Sequence, residues 1–222
     1  MTIGKRVLGM LAVQLGDAIM RKTFHQAVSL GNSCQVIYQL REHLGAEFCS
    51  SGVFDMQVTP PSALIEYLQR DFREMFERAD LSEENGIVFN RRFLTEHLHE
   101  FPNGLERSYE DARSRHDYLC QKLRSVIDGR TPTLFALRHC PSVIDLDQRV
   151  RSILRERNRR LPFKIVTVHI GSKPTRPHPN DWEGNDDEWA NRLSPFRVCH
   201  PWESRARKQA KRFMGHVMRA KF

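Results

Sequence analysis

Cys34 is the residue of this chain whose type and surroundings most directly suggest chemistry. It follows the turn-forming residues Gly31-Asn32-Ser33 and precedes an apolar, helix-like stretch that begins at Val36. This order predicts a strand, a turn and a helix whose first residue is a cysteine. Because unpaired N–H groups and the positive end of the dipole lie at a helix N-terminus, this position favours the thiolate, which is the nucleophilic form of cysteine.

A cysteine nucleophile also requires a base, and several histidines qualify. His169 closes an apolar strand just before a long irregular segment, and His139 follows another apolar strand. Open α/β sheets place their sites at such carboxyl ends of strands. His97 and His99 are two positions apart, so on a strand they would share one face. We therefore consider His169 first as the base, and His97 or His99 second.

Asp55 is the candidate for the group that orients the base. It follows the short apolar run Gly52-Val53-Phe54, although a cap or turn before Thr59-Pro60-Pro61 explains it equally well. The aspartates Asp181, Asp186 and Asp187 are further candidates, although a solvated acidic loop accounts for them more simply. The histidine pair lacks a third ligand nearby, so we predict no metal and no cofactor.

The run Ser29-Leu30-Gly31-Asn32-Ser33-Cys34, followed by Gln35-Val36 and a helix, carries a family resemblance. It resembles the S-L-G-x-x-C motif of a bacterial family of papain-like cysteine peptidases that is defined as a domain of unknown function. A later Phe-Asp pair, here Phe54-Asp55, belongs to the same pattern, and the likeness extends roughly over residues 24–170. The resemblance implies an α/β domain in which Cys34 attacks a peptide, amide or ester substrate for acyl transfer or hydrolysis.

The chain departs from the family pattern at two places. The family has Pro-Phe-Asp-Trp where this chain has Val53-Phe54-Asp55-Met56, and it has a histidine where this chain has Arg91. Two expectations follow from the resemblance: either a histidine elsewhere serves as the base, or the chain is a catalytically inactive member that acts as a binding module.

Backbone and arginine groups supply the candidates for substrate binding. The N–H groups of the turn before Cys34 could stabilise an oxyanion. An arginine at a strand end could bind a phosphate group, although no glycine-rich phosphate loop is present. The candidate substrate-binding residues are Gly31, Asn32, Ser33, Arg91 and Arg138.

The charge of the chain is concentrated towards its end. The 222 residues are 40% hydrophobic and carry a formal net charge of +8, and Glu203–Phe222 contains seven basic residues and one acidic residue. A basic amphipathic helix there docks on the fold or binds an anionic partner, such as a membrane surface or a nucleic acid. The arginine-rich segment 149–160 adds to this possibility. No apolar run is long enough for a transmembrane segment.

The cysteines suggest a compartment. The five are Cys34, Cys49, Cys120, Cys140 and Cys199, an odd number without a C-x-x-C pair. This usage argues against a disulfide framework or a zinc site and favours a reducing environment. Because the first apolar stretch also lacks a cleavage pattern, we predict a cytoplasmic protein.

Strands and helices alternate from Tyr109 to Ile170, which predicts an α/β fold with a mainly parallel or mixed sheet flanked by helices. We expect an N-terminal amphipathic helix over 1–23 and a papain-like cysteine peptidase-type domain over 24–200. The long loop at 171–193 belongs to this domain, and a basic C-terminal helix follows over 201–222. We also predict a brief strand at 52–55 and a hairpin between 86 and 101.

Overall fold

Parallel and antiparallel sheets flanked by helices make up a mixed α/β fold, as the alternation of elements predicts. The computed structural model describes residues 21–139, 145–169 and 181–206, with His139, His169 and Asp181 described by their backbone alone. The described strands are β1 (Lys22–Phe24), β2 (Gln26–Ser29), β3 (Leu81–Glu84), β4 (Ile87–Asn90), β5 (Thr95–His97), β6 (Thr133–His139), β7 (Phe163–His169) and β8 (Phe196–Val198). The described helices are α1 (Gln35–Leu44), α2 (Pro61–Gln69), α3 (Leu105–Asp128), α4 (Leu146–Arg157) and α5 (Asp186–Leu193).

The central sheet is parallel, with β6 between β2 and β7. Its middle strand is apolar on both faces because helices cover both. Phe135 and Leu137 pack in one core cluster with residues of α2, α3 and α4. Leu134 and Ala136 pack in another with residues of α1 and α5. The sheet therefore lies between two helical layers, and the carboxyl ends of its strands meet at one edge.

A second parallel pair, β1 with β8, adjoins the central sheet. Only His25 separates β1 from β2, and its N–H donates to the carbonyl of Pro132 at 2.9 Å. Its ring Nδ1 lies 2.8 Å from the carbonyl oxygen of Cys199. This one residue therefore connects the strand that leads to Cys34 with the start of β6 and with the segment after β8.

The antiparallel sheet has the order β3-β4-β5. Asn85 and Gly86 join β3 to β4 with φ values of 51° and 76°, which is the geometry of a tight two-residue hairpin turn. The predicted hairpin between 86 and 101 corresponds to β4 and β5. Strand β3 is not among the predicted strands, although the Asn-Gly pair is a strong hairpin signal.

Two internal predictions are wrong. Residues 53–55 form a 3₁₀ turn rather than a strand, because the Asp55 carboxylate takes the N–H of Gly52 that a strand would give to its neighbour. The predicted loop 171–193 contains α5, whose N-terminus is capped by the side chain of Asn185 and whose Trp189 is 1% exposed. Burial of that one indole outweighs the acidic character of the segment.

The predicted terminal helices fall mostly outside the described residues. The helix expected over 1–23 is wrong in its last two residues, since Lys22 begins β1; residues 1–20 are not described. Residues 201–206 are helical, as expected for the helix over 201–222. The rest of that basic segment also lies outside the described residues.

Candidate active site

Cys34 stands where the chain turns from β2 into α1. Gly31 and Asn32 have φ values of 84° and 87°, and this left-handed backbone reverses the chain within a few residues. A Cβ on Gly31 would lie 2.7 Å from Cβ of Phe54, so the close approach of Phe54 also requires glycine here. Cys34 occupies the N-cap position of α1, and its thiol is half-buried.

Asp55 lies beside this turn with its carboxylate inside the protein. The residue is 5% exposed, and Oδ2 accepts the backbone N–H of Gly52 at 2.6 Å. The hydroxyl of Ser29 lies close enough to favour the ionised form, yet Oδ1 has no hydrogen-bond partner within the described part of the chain. Burial nevertheless raises the pKa of Asp55 to about 6.

The Cys34 thiol is neutral in this arrangement. Burial raises its pKa, and the carboxylate of Asp55 raises it further. The backbone N–H groups of Cys34 and Gln35 lower the pKa, as the helix N-terminus predicts, but they do not offset burial, which is the largest cause of the shift. A reaction at this sulfur therefore needs a base that takes the proton during attack.

The carboxyl ends of β6 and β7 lie at the same edge of the sheet as this turn. Leu30 donates its N–H to the carbonyl of Ala136 at 2.8 Å, and Gly31 accepts from Arg138 at 3.5 Å, so the turn runs alongside the end of β6. The next residue of β6, His139, is the register partner of His169 on β7. The backbone thus brings both predicted strand-end histidines to the edge that carries Cys34, while their side chains lie outside the described part.

The structure places His97 and His99 in the antiparallel sheet and the turn after it. His97 is 1% exposed, its Nε2 lies 3.0 Å from Thr95 Oγ1, and its Nδ1 pairs with the carboxylate of Glu100. His99 is exposed beyond the end of β5. The two therefore do not share a strand face, and both nitrogens of His97 are engaged with residues of its own strand and of the turn that follows it.

The predicted substrate-binding residues separate into two groups. Gly31, Asn32 and Ser33 form the turn itself, and the carbonyl of Asn32 accepts the N–H of Thr59 at 3.0 Å. Arg138 lies at the end of β6 next to that turn, whereas Arg91 is exposed beyond β4 and donates to the carbonyl of Ala79 at 3.3 Å. Only the first group and Arg138 are connected to Cys34 by described contacts.

Sequence reasoning missed two aromatic residues beside the site. Tyr38 lies one helical turn after Cys34, and the indole of Trp182 packs edge-on against its ring with 5.1 Å between centroids. The four-residue spacing of Cys34 and Tyr38 was a readable signal for a shared helix face. No local pattern indicates that Trp182, far along the chain, returns to this helix.

A second cysteine and histidine pair, on α3, has a structural environment. Cys120 Sγ lies 3.6 Å from Nδ1 of His116, and both residues are buried. Burial raises the pKa of Cys120 and lowers that of His116, which leaves both groups uncharged. Buried away from solvent, this pair contributes to the core, whereas Cys34 is partly exposed.

Within the described ranges, no three histidine, cysteine or carboxylate side chains are placed to hold a metal ion. None of the described helices is both long and apolar enough to cross a membrane. A scan against protein-family models, a search of curated proteins and a search of solved structures each returned no match. The interpretation of the site therefore depends on the residues themselves, and on the contact that places Phe54-Asp55 against the Gly31 turn.

Proposed function

We propose that this protein is a thiol-dependent hydrolase or acyl transferase of the papain-like cysteine peptidase type, with Cys34 as its nucleophile. One observation carries the proposal: the half-buried thiol at the start of α1 lies beside a buried carboxylate, Asp55, that has an acceptor oxygen left open among the described residues. A buried oxygen without a hydrogen-bond partner destabilises the folded protein. A native protein that keeps such an oxygen calls for an explanation, and a role in catalysis is one.

The proposed reaction begins from the neutral thiol. A histidine takes the proton while sulfur forms a bond to the substrate carbonyl carbon, and the carbonyl electron pair moves to oxygen. The N–H groups at the start of α1 stabilise that oxyanion. The intermediate collapses and expels an amine or alcohol, which takes the proton from the histidine. Water or another nucleophile then releases the acyl group from sulfur by the same steps.

In this proposal His169 is the base and Asp55 is the orienting group. Support comes from the strand register, which brings the ends of β6 and β7 to the edge that holds Cys34. His139 is the alternative base, since it ends β6, the strand that pairs directly with β2. His169→Ala and His139→Ala separate the two, because only loss of the base removes turnover while Cys34 remains able to react with an alkylating reagent.

The proposal is tested by alkylation and hydrolysis together. We expect iodoacetamide to modify Cys34 ahead of Cys49, Cys120 and Cys199, which are buried, and peptide mass spectrometry measures the order. A panel of fluorogenic amide and ester substrates then measures hydrolysis by the wild type, Cys34→Ala and the control Cys199→Ala. Hydrolysis that persists in Cys34→Ala, or a Cys34 that reacts no faster than the buried cysteines, contradicts the proposal.

A second candidate function, binding of an anionic partner, is favoured by the exposed arginines of the α4 region. Arg149, Arg155, Arg159 and Arg160 are exposed there, and Arg155 is held in place over the ring of Phe163 at 4.4 Å. We expect a labelled polyanion to bind with an affinity that falls as salt rises. Arg159→Glu/Arg160→Glu should weaken this binding, and Cys34→Ala should not. Absence of binding at low salt contradicts this function.

A further inference from the structure

The exposed side of α1 next to Cys34 carries a defined row of side chains. Cys34, Tyr38 and Glu42 follow one another at intervals of four, so they lie along one face of the helix. The N–H of Tyr38 donates to the carbonyl of Cys34 at 3.1 Å, which shows that helical geometry already holds at the cysteine. Because long helical side chains lean towards the N-terminus, the Tyr38 ring covers the surface on the Cys34 side of its own position.

Trp182 completes an aromatic wall at this face. Its indole meets the Tyr38 ring at an angle of 64° and remains 49% exposed. The backbone of this segment is fixed on α1, since the side-chain amide of Gln35 donates to the carbonyl of Trp182 at 2.7 Å. Gly184 approaches the same amide so closely that a Cβ would lie 2.4 Å from Nε2 of Gln35. The indole is therefore held in place rather than free at the surface.

Carboxylates lie near Tyr38, since Glu42 is one helical turn further along α1 and Glu183 follows Trp182 in the sequence. The pKa of Tyr38 is raised, first by burial and then by the charges of Glu183, Glu42 and Asp186. Asp186 lies 3.2 Å from Nε2 of His43, which offsets its charge only when that histidine is protonated. In a chain whose net charge is +8, a negative region of this kind beside the thiol stands out.

We infer that Tyr38, Trp182 and the neighbouring carboxylates form a subsite that binds a cationic side chain of a peptide substrate, an ammonium or guanidinium group, next to the acyl group that Cys34 attacks. Aromatic faces attract such cations, and the attraction is stronger where the cation is partly removed from water. The carboxylates add a charge interaction and reject acidic side chains. The assignment of a substrate class rests on the proposed function, but binding at the subsite does not require chemistry.

The test therefore uses Cys34→Ala, which binds without reacting. Calorimetry compares N-acetyl-arginine methylamide with N-acetyl-citrulline methylamide, which has nearly the same shape but no charge. We expect the arginine compound to bind at least about tenfold more tightly at low salt, and the difference to shrink as salt rises. Trp182→Ala and Glu42→Gln should each remove most of this difference in affinity. Trp202→Ala and Glu110→Gln, exposed residues elsewhere in the fold, are the matched controls and should leave it intact.

The possible outcomes separate the subsite from the proposed reaction. The subsite is overturned if the two compounds bind with equal affinity. It is also overturned if Trp202→Ala reduces the preference for the arginine compound as much as Trp182→Ala does. Charge-selective binding by a protein that hydrolyses nothing upholds the subsite and overturns the reaction. Hydrolysis by the wild type that is indifferent to arginine or citrulline before the scissile bond upholds the reaction and overturns the subsite.

Discussion

Asp55 is the residue at which stability and the proposed chemistry oppose each other. Its pKa of about 6 in the folded protein lies above the ordinary value of 3.8, so the folded state holds this proton more tightly than the unfolded chain does. The resulting stabilisation is fully present below about pH 4 and is lost as pH rises through about 6. At neutral pH the ionised, buried carboxylate therefore weakens the fold.

Asp55→Asn should raise stability at neutral pH. The shift of the Asp55 pKa to about 6 corresponds to at most about 3 kcal/mol, and the gain should vanish near pH 3.5. Urea unfolding at several pH values measures it. Asp117→Asn is a control for which the change in stability should have the opposite sign, because hydrogen bonding by His116 holds the pKa of Asp117 at about 2. That variant should be less stable than the wild type at neutral pH. Loss of stability in Asp55→Asn at pH 7.5 would contradict the assignment.

The charge of Asp55 should also change the reactivity of the neighbouring Cys34 sulfur. Because this carboxylate raises the pKa of Cys34, Asp55→Asn should speed alkylation of Cys34 at pH 7.5 by about a factor of 3 to 10, even as it lowers turnover. The rate is measured by quenching the alkylation reaction at a series of times and determining the modified fraction of Cys34 by mass spectrometry. Slower alkylation would mean instead that Asp55 supports a histidinium paired with a thiolate, and that the resting thiol is not neutral.

At the scale of elements, the turn between β2 and α1 tolerates no side chain at Gly31. Gly31→Ala combines a φ of 84° with a Cβ only 2.7 Å from Phe54, and should cost about 2 to 4 kcal/mol. Gly86→Ala is the matched control, since its φ of 76° is similar but nothing lies within 4 Å of the added carbon. It should cost about 1 kcal/mol. Equal losses in urea unfolding would show that contact with Phe54 contributes nothing.

Elements with a strong apolar period were predictable from the sequence alone. The run Thr133–Arg138 had to be a strand covered on both faces, and the stretch from Tyr109 to Ile127 lies within α3. The helix after Cys34 ends at Gly45, whose φ of 94° suits a residue without a side chain. In each case the signal is local: a continuous apolar run for the strand, a helical apolar period for α3, and a glycine for the helix end.

The parts that could not be predicted depend on partners far along the chain. Asp55 became part of a 3₁₀ turn because its carboxylate bonds to Gly52, which no periodicity reveals. Trp182 reaches Gln35 across 147 positions of sequence, so an acidic stretch without a period became one wall of the candidate site. The S-L-G-x-x-C motif predicts Cys34 as a nucleophile, but the raised pKa of its thiol follows from burial and from Asp55, which the motif does not reveal.

At the scale of the whole molecule, a buried polar contact connects the central core with the antiparallel sheet. The Tyr67 hydroxyl lies 2.9 Å from Nε2 of His116, and Tyr67 belongs to the central core cluster. The His116 ring stacks at 4.4 Å on Phe76, which packs under β3 and β4. The His116 imidazole therefore contacts both cores and forms one junction between them.

Tyr67→Phe should loosen this junction. Removing the hydroxyl leaves a buried nitrogen of His116 without its 2.9 Å partner, and should cost about 1 to 3 kcal/mol. Hydrogen exchange should quicken in β3, β4 and β5 more than in β6, while alkylation of Cys34 stays unchanged. Tyr118→Phe, whose side chain is 62% exposed, is the control and should change neither. Uniformly faster exchange throughout the fold would argue against two joined cores.

The pairing of β1 and β2 with late parts of the chain has a consequence for biosynthesis. His25 bonds to Cys199, 174 positions later, and Gln26 to Thr133, 107 positions later. The ribosome synthesises the N-terminus first. The strand before Cys34 therefore cannot form its sheet contacts, and Tyr38 cannot contact Trp182, until those later residues have been synthesised. We therefore expect Cys34 to behave as an ordinary cysteine in the nascent chain, and to acquire its special environment only after the segment from Trp182 to Cys199 has left the ribosome.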